Sequence, residues 1–287
     1  MPFPKTSHQL APLVVLAAAS LTAAIDDAER AADWNNRAAV LADQERFLEA
    51  ETGYRFAIRI LESAYGHDAE QLAVPLNNLA IVYRRLGRLK DAESSYQRSL
   101  EIHTQARGSM HPSAMLVRIN LGRLYQQMRR YQQAEELIRS AIADVSPARD
   151  PALAAAAHHT LAVLLLSKDH INESLCRTDQ AIELWRAAAK TGDTAKALAM
   201  RAEILRRARR YPEAADAFDI ALSAARSALG PSHPEVGRIL SAYSRTLAKL
   251  GERPRAKKLR AQAQALLAAA PDRAARAHIV DVPALVE

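Results

Sequence analysis

The segment NNLAIVYRRLGRLKDAESSYQRSLEI, residues 77–102, decides the fold because most of its spacing reappears 42 residues to either side. Equivalent asparagines and alanines recur at this spacing: Asn36, Asn78 and Asn120, and Ala50, Ala92 and Ala134. The register then continues in steps of 40, 40 and 42 residues, with Ser174, Ala214 and Ala256 at the position of Ala92. A fixed internal period of this length is typical of stacked repeats. The sequence therefore predicts six units, near residues 27–66, 69–108, 111–146, 151–190, 194–230 and 233–268.

Each unit has the pattern of two helices joined by a short turn. Apolar residues at i, i+3, i+4 and i+7 form one stripe in the first helix of the second unit: Leu76, Leu79, Ala80 and Tyr83. Gly87 ends that helix, and Pro112, Pro151 and Pro234 are expected to start later first helices. Close packing of the two helices requires small residues, so we expect Ala80, Gly122 and Ala162 to face Ala92, Ala134 and Ser174.

The composition predicts an all-α chain. Only 9 of the 287 residues are glycine, 5% are aromatic, and alanine is abundant. Alanine has the highest helix propensity, and no stretch shows the alternation of apolar and polar residues that a strand requires.

The charge and the cysteine content restrict the function only broadly. A net charge of +7 and a pI of about 9.7 favour acidic partners such as acidic peptides, nucleic acid or anionic lipid. The single cysteine, Cys176, excludes an intrachain disulfide and a cysteine-based zinc finger.

The N-terminal segment predicts an export signal over residues 1–24. Lys5 precedes an apolar run from Leu10 to Ile25, which is shorter than the roughly 20 residues of a membrane span. Thr22-Ala23-Ala24 supplies small residues for cleavage before Ile25, which would place the mature protein in the periplasm or outside the cell. An uncleaved membrane anchor and a hydrophobic helix of a cytoplasmic protein are the alternatives.

These offsets resemble the tetratricopeptide repeat. Trp34, Leu79-Ala80, Tyr83, Ala92, Tyr96 and Ser99 occupy its characteristic positions, and the 42-residue period, the LNNLA core and the His-Pro loops resemble the kinesin-light-chain-like subgroup. The resemblance implies a right-handed α-solenoid whose first helices line a concave groove. It also implies protein binding without enzymatic activity or a cofactor, and structural roles for His111 and His233 in the His-Pro loops.

The groove is the first candidate site. Asn36, Asn78 and Asn120 stand in the middle of helices, where asparagine is a poor helix former. One interpretation, supported by the resemblance, is that they bind the backbone of an extended peptide; the other is that they bond adjacent helices. The remaining groove candidates are Asn35, Asn77, Arg85, Arg123 and Gln127.

Arginines near the turns form the second candidate site, a basic edge: Arg84, Arg129, Arg130, Arg206, Arg207 and Arg210. Guanidinium groups match carboxylates and phosphates, so this edge could select acidic groups. Alternatively, it is a solvated surface that is partly paired with neighbouring acids.

Other classes of function find little support. Nucleic-acid binding through the basic edge is disfavoured, because few aromatic residues are free to stack on bases. No Walker loop, GxGxxG or HExxH motif is present, and adjacent His158 and His159 point to different helix faces, which argues against a metal site. We therefore expect a scaffold that binds an acidic peptide segment. Self-association through the edges or ends is the alternative, and the tail 269–287 is expected to be flexible.

Overall fold

The computed structural model describes the backbone of residues 10–269 and the side chains of residues 26–268. This part of the chain contains twelve α-helices, one short 3₁₀ turn at Glu70–Leu72 and no strand, which confirms the all-α prediction. The helices are α1 Leu10–Asp43, α2 Phe47–Tyr65, α3 Ala73–Arg85, α4 Leu89–Arg107, α5 Pro112–Gln127, α6 Tyr131–Asp144, α7 Pro151–Ser167, α8 Ile171–Ala187, α9 Thr191–Arg207, α10 Tyr211–Leu229, α11 Pro234–Lys249 and α12 Arg253–Ala269.

Consecutive helices form six pairs, α1–α2 to α11–α12. The pairs fall into two compact bodies, one with α1 to α4 and one with α5 to α12. Inside each body every pair packs on the next pair, which is the arrangement of an α-solenoid.

Helix α1 is longer than the first repeat requires. It has 34 residues and begins at Leu10, inside the segment predicted to be an export signal. No Gly or Pro interrupts the sequence between Pro12, in the first helical turn, and Gly53. The expected flexible tail lies almost entirely outside the described residues, so that prediction remains open.

Small residues mark the crossing within each pair, as predicted. A methyl group added at Gly122 would lie 2.6 Å from Ile138 Cγ1 and 3.4 Å from the Ala134 carbonyl oxygen, so α5 and α6 are close at this point. In the next pair the Ser174 hydroxyl donates to the Ala162 carbonyl at 2.8 Å. The equivalent alanines of the other pairs are buried as well, including Ala92.

The turns inside the pairs share one backbone conformation, but the residue type at the turn differs between pairs. The six turn residues have a left-handed backbone with φ from 60° to 85°: Glu45, Gly87, Arg129, Asp169, Arg209 and Gly251. The following N–H donates to the carbonyl five residues earlier in every turn, for example Arg130 to Tyr125 at 2.8 Å. This hydrogen bond is typical of the Schellman helix ending. All six turns have it, although only two of the six turn residues are glycines.

The loops between pairs confirm the structural role of two histidines. The Nδ1 atom of His111 accepts the backbone N–H of Ser113 at 3.3 Å, and His233 does the same for Glu235 at 3.1 Å. Each imidazole therefore caps a helix whose first residue is proline, Pro112 or Pro234.

Candidate functional site

The asparagines of the first body form a chain of side-chain amides. Asn77 Nδ2 donates to Asn78 Oδ1 at 3.3 Å, and Asn78 Nδ2 donates to Asn35 Oδ1 at 3.4 Å. Asn35 Nδ2 in turn donates to Asn36 Oδ1 at 3.4 Å. The bond between Asn78 and Asn35 connects α3 to α1, so these carboxamides do bond adjacent first helices. The distances are long for N–H···O bonds, which leaves the amides able to exchange partners.

Exposure differs within this chain of amides. Asn36 is exposed and Asn78 is half-buried, whereas Asn77 and Asn35 are 0% and 8% exposed. A ligand on this face would therefore meet Asn36 and Asn78 first. Asn35 and Asn77 lie behind them and hold them in place.

In the second body the equivalent face of α5 is buried. Asn120 and Arg123 are 1% and 2% exposed, and Arg123 Nε donates to the Thr160 hydroxyl of α7 at 3.0 Å. Thr160 donates in turn to the Ala156 carbonyl at 2.7 Å. Thr160 occupies the asparagine position of the fourth repeat. Its hydroxyl connects α5 and α7, as the carboxamides of Asn35 and Asn78 connect α1 and α3.

The two remaining groove candidates are accessible. Arg85 is half-buried near the end of α3, and Gln127 is exposed at the end of α5. Beside Gln127, the Gln126 amide donates to the Ser167 hydroxyl of α7 at 3.0 Å. Gln126, Thr160 and Ser167 could not be recognised as candidates from the sequence, because no residue of the same type recurs at their repeat positions.

The predicted basic edge is only partly at the surface. Arg84 is 4% exposed and is therefore not part of a solvent-facing edge, since its position late in α3 turns it towards the interior. Arg129 is exposed in the left-handed turn. Arg130 is half-buried, with its guanidinium 4.0 Å from the centre of the Tyr125 ring and bonded to Gln133 at 2.5 Å.

The arginines of the fifth pair form ion pairs with neighbouring glutamates. Arg206 pairs with Glu203 at 2.5 Å, and Arg207 approaches the same carboxylate at 3.6 Å. Arg210 pairs with Glu213 at 2.5 Å, and its hydrogen bonds lower the pKa of the Glu213 carboxyl. Exposed pairs of this kind contribute little to stability. At the fifth pair, the basic edge therefore consists of local ion pairs.

Two histidines of α7 are held neutral. Burial, and then the nearby Arg123 and Lys196, lower the pKa of His159 to about 3, and its ring lies 5.1 Å from the Trp185 ring. Burial and then Arg177 lower the pKa of His158 to about 4. His158 borders an open groove along α8 that also includes the exposed Cys176, but no acid–base set is assembled there.

The described part of the chain contains neither a cluster of metal-binding side chains nor a helix that could span a membrane. Between residues 26 and 268, no group of three or more His, Cys, Asp or Glu side chains has the arrangement of a metal site. Among the helices described between residues 10 and 269, none combines the length and the apolar character needed to cross a bilayer.

The match to a known protein family agrees with the repeat pattern. The family model described as tetratricopeptide repeat matches residues 29–105, 73–146 and 193–269, which together exceed half of the chain. No curated protein sequence matches the chain significantly.

Several solved structures have a similar fold. The nearly identical TPR-like repeats of a putative kinesin light chain from Podosopora anserina are 19% identical, with a TM-score of 0.58 over 72% of this chain and 99% of that one. A Rap protein complexed with competence and sporulation factor is 14% identical, with a TM-score of 0.61 over 81% of this chain and 73% of that one. Aspartyl phosphate phosphatase F from Bacillus subtilis is 10% identical, with a TM-score of 0.63 over 88% of this chain and 73% of that one.

Proposed function

The chain belongs to the tetratricopeptide repeat family, and from this premise we propose that it is a non-enzymatic scaffold that binds an extended, acidic peptide segment on its first helices. Asn36 and Asn78 bind the peptide backbone, and Arg85 contacts its side chains. Within the second body, the buried Asn120 and Arg123 of α5 serve packing, and Arg123 bonds α5 to α7.

The observation that carries the proposal is the chain of amides from Asn77 to Asn36. An amide side chain presents both a donor and an acceptor, which is what a peptide backbone requires. Because the amide–amide distances are 3.3 to 3.4 Å, a peptide can replace these bonds at small cost. The half-buried Arg85 on the same helix and the net charge of +7 favour an acidic ligand. The Rap protein complexed with competence and sporulation factor is a precedent for ligand binding by this fold.

A peptide-display library tests this proposal directly. The full chain is compared with the double variant Asn36→Ala/Asn78→Ala and with the control Asn172→Ala, which removes an exposed asparagine from α8, a second helix. We expect enrichment of acidic, extended peptides, a loss of affinity of at least about tenfold in the double variant, and no change in the control. All three proteins must have the same melting temperature.

Equal binding by the double variant and the wild type would move the peptide site away from the asparagines. No enrichment of peptides on the wild type would contradict peptide binding itself. Binding that is strong only for nucleic acid, with an affinity that falls steeply with salt, would support the basic edge instead.

We further propose that the protein is exported and that residues 1–24 are removed. N-terminal sequencing of the protein purified from the parent cell should begin at Ile25. A sequence that begins at residue 1 or 2 would support one of the two alternatives, an anchor or a cytoplasmic protein.

A further inference from the structure

The sixth helix pair carries most of the positive charge of the chain. The pair, residues 234–269, contains eight Lys or Arg residues but only two acids, Glu235 and Glu252. It therefore has a net charge of +6, against +7 for the whole chain. Charge of one sign that is concentrated in one part of a protein attracts ligands of the opposite sign.

Six of these cations are exposed and have no acidic partner within the described part of the chain. The two acids of the pair are already engaged, because Glu235 forms an ion pair with Arg238 and Glu252 forms one with Arg255 at 3.4 Å. Arg255 also reaches Asp219 of α10 at 3.2 Å. We define the α11–α12 basic surface as the six remaining cations: Arg245, Lys249, Arg253, Lys257, Lys258 and Arg260.

Local helix stability does not explain these charges. Helix α12 has no acidic residue in its first turn, whereas α2, α4, α8 and α10 each have one. The N-terminus of a helix carries a partial positive charge, so a cation in the first turn is unfavourable. Arg253 stands in that turn, and Lys257, Lys258 and Arg260 follow in the next one. An external anion would offset this repulsion.

The cations of both helices reach the same side of the pair. The repeat equivalent of Arg245 is Arg123, which bonds the following first helix, α7. The repeat equivalent of Arg260 is Phe218, which packs against the following first helix, α11. Arg245 and Arg260 therefore lie on the same side of α11 and α12, and both are exposed. Arg260 also belongs to a stripe at i, i+4 and i+7 of α12 that begins at Arg253.

The surroundings of this surface favour a flat anionic ligand. Residues 251–255, at the turn and the start of α12, are all exposed, so the charges surround a protruding turn rather than line a groove. Among residues 234–268 the only aromatic side chain is Tyr243, which is 1% exposed, so no ring is available to stack on a base. These features disfavour an extended peptide and single-stranded nucleic acid. Clusters of roughly four to eight Lys or Arg residues on a helix are typical of binding to anionic lipid.

We propose that the α11–α12 basic surface binds the anionic headgroups of a membrane surface. The contact is electrostatic and peripheral, because the headgroup phosphates supply the anionic partners that the six cations lack among the described residues. The surface belongs to the second body, whereas the amide chain belongs to the first. This proposal and the peptide site can therefore fail independently of each other.

Co-sedimentation with vesicles tests the proposal. The full chain is mixed with vesicles of equal parts phosphatidylcholine and phosphatidylglycerol. Pure phosphatidylcholine vesicles measure any contribution of the apolar segment 10–25, which all variants share. We expect the wild type to bind the anionic vesicles more tightly than the neutral ones, with an affinity that falls as salt screens the charges.

Two double variants should weaken the binding to anionic vesicles. Lys257→Gln/Arg260→Gln should lower the affinity at least about tenfold, because each cation near an anionic surface strengthens binding about fivefold. Arg245→Gln/Lys249→Gln should cause a similar loss from α11, so the result does not depend on α12 alone. Both variants should melt at the temperature of the wild type, since the four side chains are exposed.

Two control variants separate this surface from net charge and from shape. Lys90→Gln/Arg226→Gln removes the same charge from exposed residues of α4 and α10, and it should change the affinity by less than about twofold. Lys257→Arg/Arg260→Lys keeps the charge and should bind as the wild type does.

Five results would each overturn the proposal. The wild type could bind anionic and neutral vesicles equally, or the control Lys90→Gln/Arg226→Gln could lose as much affinity as the test variants. A loss in the charge-conserving exchange would indicate a partner of defined shape. Tighter binding to duplex DNA than to vesicles, abolished in Lys257→Gln/Arg260→Gln, would assign the surface to nucleic acid. A melting temperature that falls in both test variants would show that the cations stabilise the fold.

Discussion

The first and last helix pairs have the same local structure but expose different residues. Both pairs have a left-handed turn, at Glu45 and Gly251, and buried alanines at their helix crossing. The first pair nevertheless exposes Val40 at a position that is buried elsewhere, whereas the last pair replaces the buried phenylalanine of the preceding pair by Arg260. The repeat thus determines how a pair folds, whereas the residues that a pair exposes differ from one pair to another.

The largest expected difference concerns two phenylalanines. Phe218, 1% exposed, packs between α10 and α11, whereas Phe56, 42% exposed, lies on the surface of α2. Phe218→Ala should lower the free energy of unfolding by about 3–5 kcal/mol, and Phe56→Ala by less than about 1 kcal/mol. Urea denaturation measures both. Equal losses would mean that Phe56 is also part of a core.

Acid should destabilise the interior of the chain before it affects either end. The pKa of His159 is lowered to about 3 in the folded protein, whereas an unfolded histidine has a pKa near 6.5. Between these values the unfolded chain binds more protons, so stability is complete above pH 6.5 and falls as the pH falls. The loss at pH 4.5 is about 2–3 kcal/mol. His159→Leu should flatten the dependence of the melting temperature on pH between about 6.5 and 4.5. An unchanged slope would show that other groups, His158 first, cause the acid sensitivity.

Enlarging a crossing residue should cost more inside the series than at its end. Ala92 is 0% exposed at the crossing of α3 and α4, and Ala256 is 5% exposed in the last pair. Ala92→Leu should lower the free energy of unfolding by about 1–3 kcal/mol through overpacking. Ala256→Leu should cost less, because Ala256 is less completely buried than Ala92. Melting curves of both variants test this difference in stability. An unchanged melting temperature for Ala92→Leu would show that the crossing is not close-packed.

The smallest expected effect is at the turns. Arg209 has φ of +61° and Gly251, in the next pair, has φ of +85°. Arg209→Gly should raise the free energy of unfolding by about 0.5–1 kcal/mol, because glycine adopts this conformation without a steric penalty. Gly251→Arg should lower it by a similar amount. A destabilised Arg209→Gly variant would indicate that the Arg209 side chain makes contacts worth more than the backbone strain.

The period was the most reliable information in the sequence. Asn36, Asn78 and Asn120 established the register, and six helix pairs follow it. The prolines at residues 112, 151 and 234 located three helix starts, because proline is favoured at the first helical position. Glycine was a weaker guide, since four of the six left-handed turns use other residues.

The candidate site was less predictable. Sequence position placed Arg84 on a solvent-facing edge, yet it is 4% exposed, and the arginines of the fifth pair are paired with Glu203 and Glu213. The burial and the ion pairing of a side chain depend on which neighbouring helix its face contacts. The repeat pattern does not specify which long polar side chains lie at those contacts.

The sequence by itself determined the helix pairs, their order and their close crossings, because these depend on local propensity and on small residues at a fixed period. Only the tertiary structure decided that the amides of Asn35 and Asn78 meet, that Arg123 binds Thr160, and that Val40 is left uncovered. These three facts depend on how one pair lies against the next, and this is set by packing between residues some 40 positions apart.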